Sequence, residues 1–299
     1  MQEGDLAFEF QAMGTACRIH VAGAAEALAT RAAQAAIAEV RRIEAKYSRY
    51  LPGSIVSRIN AAAGSERVIE VDDETAHLLD FAAQVHDASD GLFDITTGVL
   101  RRVWDFRAAV PPSAAQVDEV LQQVGWRHVQ WQRPGVLLTR PGMELDFGGF
   151  GKEYATDRAS TVLADAGIGA ALVNLGGDMR ALGPRPDGRA WSLGIAHPRV
   201  RGAVIASIEI HAGGLATSGD YERYFEHGGV RYCHILDPRS GWPVPGLQSV
   251  SVVAPACVAA GALSTIAMLR GASALEFLRG QRAEFLVIDG QGRVFREPI

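Results

Sequence analysis

The run Asp146-Phe-Gly-Gly-Phe-Gly-Lys152-Glu-Tyr154 carries the sharpest chemistry in this sequence. An apolar stretch meets glycines, and a helix then begins with a lysine in its first turn. Glycines let the backbone approach an anion, and a new helix offers free N–H groups and the positive end of its dipole. A lysine at that point adds a point charge suited to phosphate. Two familiar phosphate motifs fail here. A P-loop would need Gly at 146 and Ser or Thr at 153, where Asp146 and Glu153 stand, and no GxGxxG is present. An anion-binding turn and a tight structural turn both fit what is left.

Three further segments hold groups that could act with it. Asn174-Leu-Gly-Gly-Asp178 follows an apolar strand; Asp178 could accept from a ligand hydroxyl or amine, or simply cap the turn. Ala216-Thr-Ser-Gly-Asp220-Tyr221 and Tyr232-Cys-His234-Ile-Leu-Asp-Pro238 bring small hydroxyls, a carboxylate and a strand-borne histidine into one polar region. His234 reads as either structural or catalytic. Asp90-Gly-Leu-Phe-Asp94-Ile-Thr-Thr-Gly98 reads as a turn, a buried Phe93 and a short extended stretch. The eight histidines form no HExxH or paired spacing, and the three cysteines form no CxxC, so neither zinc nor a disulfide framework is expected.

Lysine usage singles out two positions. The chain has 29 Lys+Arg, and only Lys46 and Lys152 are lysine. A chain that takes arginine for almost every positive charge keeps lysine where a compact ammonium fits and a planar fork does not, although chance survival explains Lys46 equally well.

These groups need a scaffold. Strands are expected at Ala7–Gln11 and Cys17–Val21, then an Ala-rich helix at Ala24–Tyr47 with Leu28, Ala32, Ala36, Val40 and Ile43 at helical spacing. Helices follow at Ser54–Asn60, from Asp72 or Asp73 to Ser89, and from Ser113 to Gly125. A hairpin is expected over His128–Trp131 and Val136–Arg140, with a strand at Glu144–Phe147 leading into the glycine turn and a helix to Ala166. Strands are expected at Ala171–Leu175, Trp191–Ile195, Val204–Ile210, Arg231–Leu236 and Val250–Ala254. Helices at Cys257–Leu269 and Ser273–Arg279 and a closing hairpin (Phe285–Ile288, Arg293–Arg296) complete the chain. Helices and strands mixed without strict βαβ alternation give an α+β class, and no linker divides residues 1–299 into separate domains.

Composition removes other classes. With 48% apolar and 21% charged residues the 299-residue chain is neither disordered nor collagenous. A net charge of −5 without a basic run excludes nucleic acid as the main partner. Trp242–Leu269 has no charge, yet its prolines, Gln248 and serines read as strand, turn and buried helix, so no membrane span is expected. The opening MQEGDLAFEF has no basic or apolar signal region, which as written reads as cytoplasmic, or as periplasmic if a leader was trimmed.

Taken in order, these motifs resemble the FAD:protein FMN transferase (ApbE-type) family. Met13-Gly-Thr15, Tyr47-Ser-Arg-Tyr50 with Ser54 to Asn60, Asp90 to Asp94, Asp146 to Tyr154, Asn174 to Asp178, Thr217 to Tyr221 and His234 to Pro238 carry the likeness, which spans residues 7–271. The resemblance implies a single α+β unit with FAD in a cleft between two halves. It implies FAD contacts at Met13, Tyr50, Leu92, Phe93, Asp94, Gly148, Tyr154 and Ile235, to which the spacing adds Asp178. The implied reaction splits FAD, releases AMP and joins FMN to a Thr or Ser hydroxyl of an acceptor flavoprotein with Mg²⁺ as cofactor; Lys152 would steady the charge and His234 or Asp220 would take the proton. An FAD pyrophosphatase and an FAD-binding protein without turnover are the alternatives on the same scaffold.

The sequence departs from the family where the metal should sit. The family's metal helix reads Ala-Asp-Ala-x-x-Thr; here it is Ala260-Gly261-Ala262-Leu263-Ser264-Thr265, and the usual Lys-Gly is Lys152-Glu153. One reading has Glu153 restoring the lost charge, with the Gly151 carbonyl, Ser264 and Thr265 as the other metal oxygens. The other has Glu153 as a solvated first-turn residue favoured by the helix dipole, with a weak or absent metal site.

Overall fold

The computed structural model describes residues 5–297, so the first four residues, part of the stretch read for a leader, lie outside the described residues. The chain opens with an antiparallel hairpin, β1 (Asp5–Ala12) and β2 (Thr15–Ala22), followed by α1 (Glu26–Tyr47). α1 buries Ala29, Ala32, Ala33, Ala36, Val40, Ile43 and Tyr47, the stripe its 3.6-residue period requires. Ser54 caps α2 (Ile55–Ala61) by accepting from the Ser57 N–H, and after β3 (Ile69–Glu70) Asp72 caps α3 (Asp73–Ala88) through the Thr75 N–H. Each such cap is worth about 1 kcal/mol. α4 (Ala114–Leu121) starts in a capping box between Ser113 and Gln116, and β4 (Val129–Gln132) pairs with β5 (Gly135–Leu138).

The second half begins with α5 (Gly151–Asp165), β6 (Ala171–Leu175) and β7 (Asp178–Ala181). Next come a hairpin of β8 (Trp191–Ala196) and β9 (Val204–Ile210), β10 (Gly213–Gly219), and a hairpin of β11 (Tyr224–His227) and β12 (Val230–Cys233). β13 (Leu247–Ala254), α6 (Cys257–Arg270), α7 (Ala274–Gly280), β14 (Glu284–Asp289) and β15 (Val294–Glu297) close the chain.

One eight-stranded sheet, ordered β1-β2-β6-β7-β10-β13-β14-β15 with every neighbour antiparallel, organises the molecule. On one face α1 and α5 pack through small residues, with Ala32 and Ala36 in the same cluster as Ala155 and Ala159. α6 and α7 cover the neighbouring strands through Ala260, Ala267, Met268 and Leu278. The β8–β9 hairpin lays Trp191, Leu193, Ile208 and Ile210 over the other face. Burying each such large apolar side chain contributes roughly 1.5–3 kcal/mol. A separate aromatic cluster around Trp104, whose indole N–H donates to the Gly241 carbonyl at 2.8 Å, fixes Phe225 and Tyr232 and with them the hairpin that leads to His234.

The α+β expectation holds, and several local ones do not. Glu144–Phe147 is no strand: its backbone is held by Asn60, whose side chain bonds the Leu145 N–H and carbonyl, and Phe147–Gly149 winds into a 3₁₀ turn. Ile95–Arg102 is a 3₁₀ helix rather than extended, because Asp94 caps it. The helix after Ser113 stops at Leu121 rather than Gly125. β12 ends at Cys233, so His234 lies just beyond a strand. The apolar run Cys257–Gly280 is by length and composition able to cross a bilayer; half of it is buried, with α6 packed against β10, β13 and α5.

Candidate functional site

The first turn of α5 is the centre of the site. Asp146 shapes its approach by accepting from the Gly148 N–H at 2.9 Å, while Arg49 pairs with Asp146 at 2.8 Å and donates to the Gly98 carbonyl at 3.0 Å. Gly176 and Gly177 make the turn between β6 and β7. Gly176 has φ +63°, and a Cβ there would stand 2.5 Å from the Thr15 hydroxyl, so only glycine fits. That turn delivers Asp178 to Lys152, and the two form an ion pair. Asp178 is 3% exposed and also accepts from the Thr217 N–H. Burial raises its pKa against the lowering pull of Lys152, and burial opposes the Lys152 charge while Asp178 and Glu153 more than offset it, so the lysine stays protonated.

Glu153 is not solvated. It is buried beside this pair, its Oε2 has no hydrogen-bond partner, and burial followed by the Asp178 charge raises its pKa. Its carboxyl group faces Gly261 on α6. A Cβ at 261 would lie 2.6 Å from Glu153 Oε1 and 2.7 Å from its Cγ. α6 itself is anchored by Asp157 of α5, which accepts from the Cys257 and Val258 N–H groups at 2.9 Å each and takes Arg180 at 3.0 Å.

A hydroxyl cluster joins α6 to β10. Ser218 Oγ lies 2.9 Å from Ser264 Oγ and 3.0 Å from Thr265 Oγ1, and Ser264 also donates to the Gly261 carbonyl at 3.0 Å. Ser264 is fully buried, and half-buried Thr265 is the more open of the two hydroxyls expected to face a metal. Ser218 was not singled out from sequence, because its partner Thr265 lies 47 residues away and only the pairing of β10 with β13 beneath α6 brings them together. Among the described residues no three His, Cys, Asp or Glu side chains converge on one point. A cation here would therefore draw on carbonyl and hydroxyl oxygens as well as the Glu153 carboxylate. Such a donor set, with an orphaned carboxylate oxygen, fits a hard divalent ion.

The two expected proton acceptors, His234 and Asp220, lie in different surroundings. Asp220 is held in a bidentate ion pair by Arg199, both contacts at 2.7 Å, with Arg231 at 3.8 Å. Both carboxylate oxygens of Asp220 are thus engaged by Arg199, a contact that ties it to the loop between β8 and β9. His234 is exposed to solvent on one side, while protein atoms crowd around its ring on the other. That crowding, with the Arg223 charge and a weaker contribution from Lys152, lowers its pKa and keeps the imidazole neutral. Tyr221 stands nearby, its phenol pushed up to about 12 by burial and by Glu222, Asp220 and Asp178.

The expected flavin contacts divide. Tyr50 is 69% exposed, with the Arg49 and Arg101 guanidinium carbons 5.1 and 5.8 Å from its ring centre, a flat surface on which a ring could stack. Gly148 is exposed, and Met13, at φ +53°, gives its N–H to Glu44. Leu92, Phe93 and Ile235 are buried, Phe93 with its ring centre 6.3 Å from that of Phe150, so their side chains serve the core. The Asp94 carboxylate is consumed by Thr96 and the Trp126 N–H, and the Tyr154 hydroxyl donates to Glu74 at 2.8 Å. Neither Asp94 nor Tyr154 has its polar group turned to the Lys152 pocket.

Comparison with known proteins covers nearly the whole chain. The ApbE family profile matches residues 13–287. The chain is 32% identical to an FAD:protein FMN transferase of Rhodobacter capsulatus over 98% of its own length, and spans 57% of that relative. It is 30% identical to an FAD:protein FMN transferase of Salmonella typhimurium, covering 96% of this chain and 85% of that one. In three dimensions it resembles the ApbE protein of Thermotoga maritima with a TM-score of 0.90 and 32% identity, covering 98% of this chain and 97% of the other.

Proposed function

The chain belongs to the ApbE family, and from that premise we propose that it moves the FMN part of FAD onto a Thr or Ser hydroxyl of an acceptor flavoprotein and releases AMP. The observation that carries this reading is the pocket at the start of α5. There Lys152, paired with Asp178 and next in the chain to the buried Glu153, lies within electrostatic reach of a neutral, solvent-reached His234.

The acceptor oxygen attacks the FMN phosphorus, a new P–O bond forms, the bond to the AMP phosphate breaks, and AMP leaves with that electron pair. Such a transfer depends on positioning and charge neutralisation more than on covalent help from the protein. His234 takes the hydroxyl proton; a lowered pKa keeps it in the form able to do so at neutral pH. Lys152 offers a fixed positive charge that Asp178 orients, and Tyr50 with its arginines offers a face for the flavin ring. The Gly151 carbonyl, the Glu153 carboxylate and the Thr265 hydroxyl would hold magnesium, which when bound supplies neutralising charge to the FAD diphosphate.

Incubation with FAD, Mg²⁺ and a Thr- or Ser-bearing acceptor tests the proposal. AMP release that depends on the acceptor, with fluorescent flavin retained on it after denaturation, is the expected result. His234→Gln should lower the rate roughly 10²–10⁴-fold. AMP formed equally without acceptor would make the protein a pyrophosphatase, and intact FAD with no AMP would make it a binder.

A further inference from the structure

We propose that the carboxylate of the cation site in this chain is carried by α5 instead of α6: Glu153 supplies it, and position 261 is glycine because the Glu153 carboxyl group occupies the space any side chain there would need. The inference rests on the reading that this pocket takes a divalent cation with FAD, and goes beyond it by assigning the charged ligand and the reason for Gly261.

Four observations carry it. Gly261 lies in the middle of α6 with no left-handed backbone to require glycine, and a helix-interior glycine costs about 1 kcal/mol relative to alanine. Its cause is therefore close approach, and the atoms that approach are Oε1, Cγ and Cδ of Glu153, at 2.6, 2.7 and 2.9 Å from a Cβ built at 261. A side chain at 261 and the Glu153 carboxyl group compete for one volume.

Second, Glu153 Oε2 is buried and unpartnered. Burying a carboxylate without a partner is costly, and no apolar cluster explains its presence. Third, the nearest cation is already committed: Lys152 pairs with Asp178, so Glu153 Oε2 has no ammonium of its own. Fourth, Thr265 lies one turn after Gly261 on the same face of α6, and helical side chains lean toward the N-terminus. The Thr265 hydroxyl and the Glu153 carboxyl group thus approach the same stretch of α6 from two helices. A cation there would give the Glu153 carboxyl group the partner that Lys152, held by Asp178, does not.

The test uses the full chain loaded with FAD, with Mn²⁺ binding read by electron paramagnetic resonance, Mg²⁺ binding by calorimetry, and thermal melting alongside. Four proteins are compared: wild type, Glu153→Gly, Gly261→Asp, and the double variant. Glu153→Gly should weaken Mn²⁺ by roughly tenfold or more. Gly261→Asp should melt lower than wild type, since two carboxyl groups then contend for one site. The double variant should recover both melting temperature and Mn²⁺ affinity to within about threefold of wild type. If Glu153→Gly does not fold, the near-isosteric Glu153→Gln is read for Mn²⁺ by the same criterion. Wild-type Mn²⁺ affinity in Glu153→Gly or Glu153→Gln, or a double variant no better than Glu153→Gly, overturns the inference. FMN transfer is scored separately. Tight Mn²⁺ without transfer ends the transferase reading alone, whereas transfer with undiminished Mn²⁺ in Glu153→Gly ends only the transposed carboxylate.

Discussion

The two lysines of this chain sit in opposite electrostatic situations. Lys46, near the end of α1, contacts Asp72 at 2.5 Å and Glu74 at 2.6 Å, and Arg42 and Arg158 extend the network to Glu39. Three cations meet three carboxylates there. Burial alone would raise the Glu74 pKa, but hydrogen bonds from Arg42, Lys46 and Tyr154 outweigh it and hold Glu74 well below its ordinary value. Lys152, at the start of α5, has two carboxylates to itself, and burial raises both Asp178 and Glu153. The balanced cluster ties α1, α3 and α5 together. The unbalanced one keeps a carboxyl group buried without a partner, which a folding element has no reason to keep and a binding site does.

Removing each ammonium gives the largest expected contrast. Lys152→Met leaves Asp178 and Glu153 buried without a cation and should cost about 3 kcal/mol in urea unfolding. Lys46→Met leaves Glu74 its arginine and its tyrosine in a partly solvated setting and should cost roughly 1 kcal/mol or less. Equal losses would erase the distinction between the two sites.

Neutralising a carboxylate in each place should move stability in opposite directions. In metal-free protein, Glu153→Gln removes a buried carboxyl group that folding forces to take up a proton and should raise stability at neutral pH by about 1 kcal/mol. Glu74→Gln removes the acceptor shared by Arg42, Lys46 and Tyr154 and should lower it by about 1 kcal/mol. Thermal melting after chelation measures both, and a stabilised Glu74→Gln would show that the network is only surface decoration.

Much of this was legible in the chain and some could not be. The Ala-rich period of α1, the Ser54, Asp72 and Ser113 caps, and the glycine–lysine turn are local signals, and each folded as its residues imply. The scarcity of lysine marked Lys152 but equally marked Lys46, because composition cannot say whether an ammonium meets one carboxylate too few or one too many. Glu153 and Gly261 stood out together as departures from the family pattern. Their contact was not readable, since 108 positions separate them in the chain and only the packing of α5 on α6 joins them. The partners of Asp220 and Asp94 were hidden for the same reason. A carboxylate in a motif looks available until Arg199, or the Thr96 and Trp126 N–H groups, are found holding it. Strand β7 is only four residues long and β10 is bounded by glycines, so neither gave an alternation to read, yet they place Asp178 and Ser218.

Acid should separate the two clusters by the sign of their slopes, a smaller effect than any substitution above. A carboxyl group whose folded pKa is depressed releases its proton more readily in the folded state, so its stabilisation is complete above the unfolded value of about 4.3 and is lost as pH falls through the folded value. Glu74, Asp72 and Glu39 are all depressed, and each hydrogen-bonds a cation of the network. Asp178, raised by burial, has the opposite slope: the folded state binds its proton first, so its contribution declines as pH rises from about 4 toward the folded value. Wild type and Glu74→Gln compared by urea unfolding between pH 3 and 7 should therefore differ most at neutral pH and converge on acidification. A gap that stayed constant to pH 3 would mean that Glu74 acts through packing and not through its charge, and the balanced cluster would lose its electrostatic meaning.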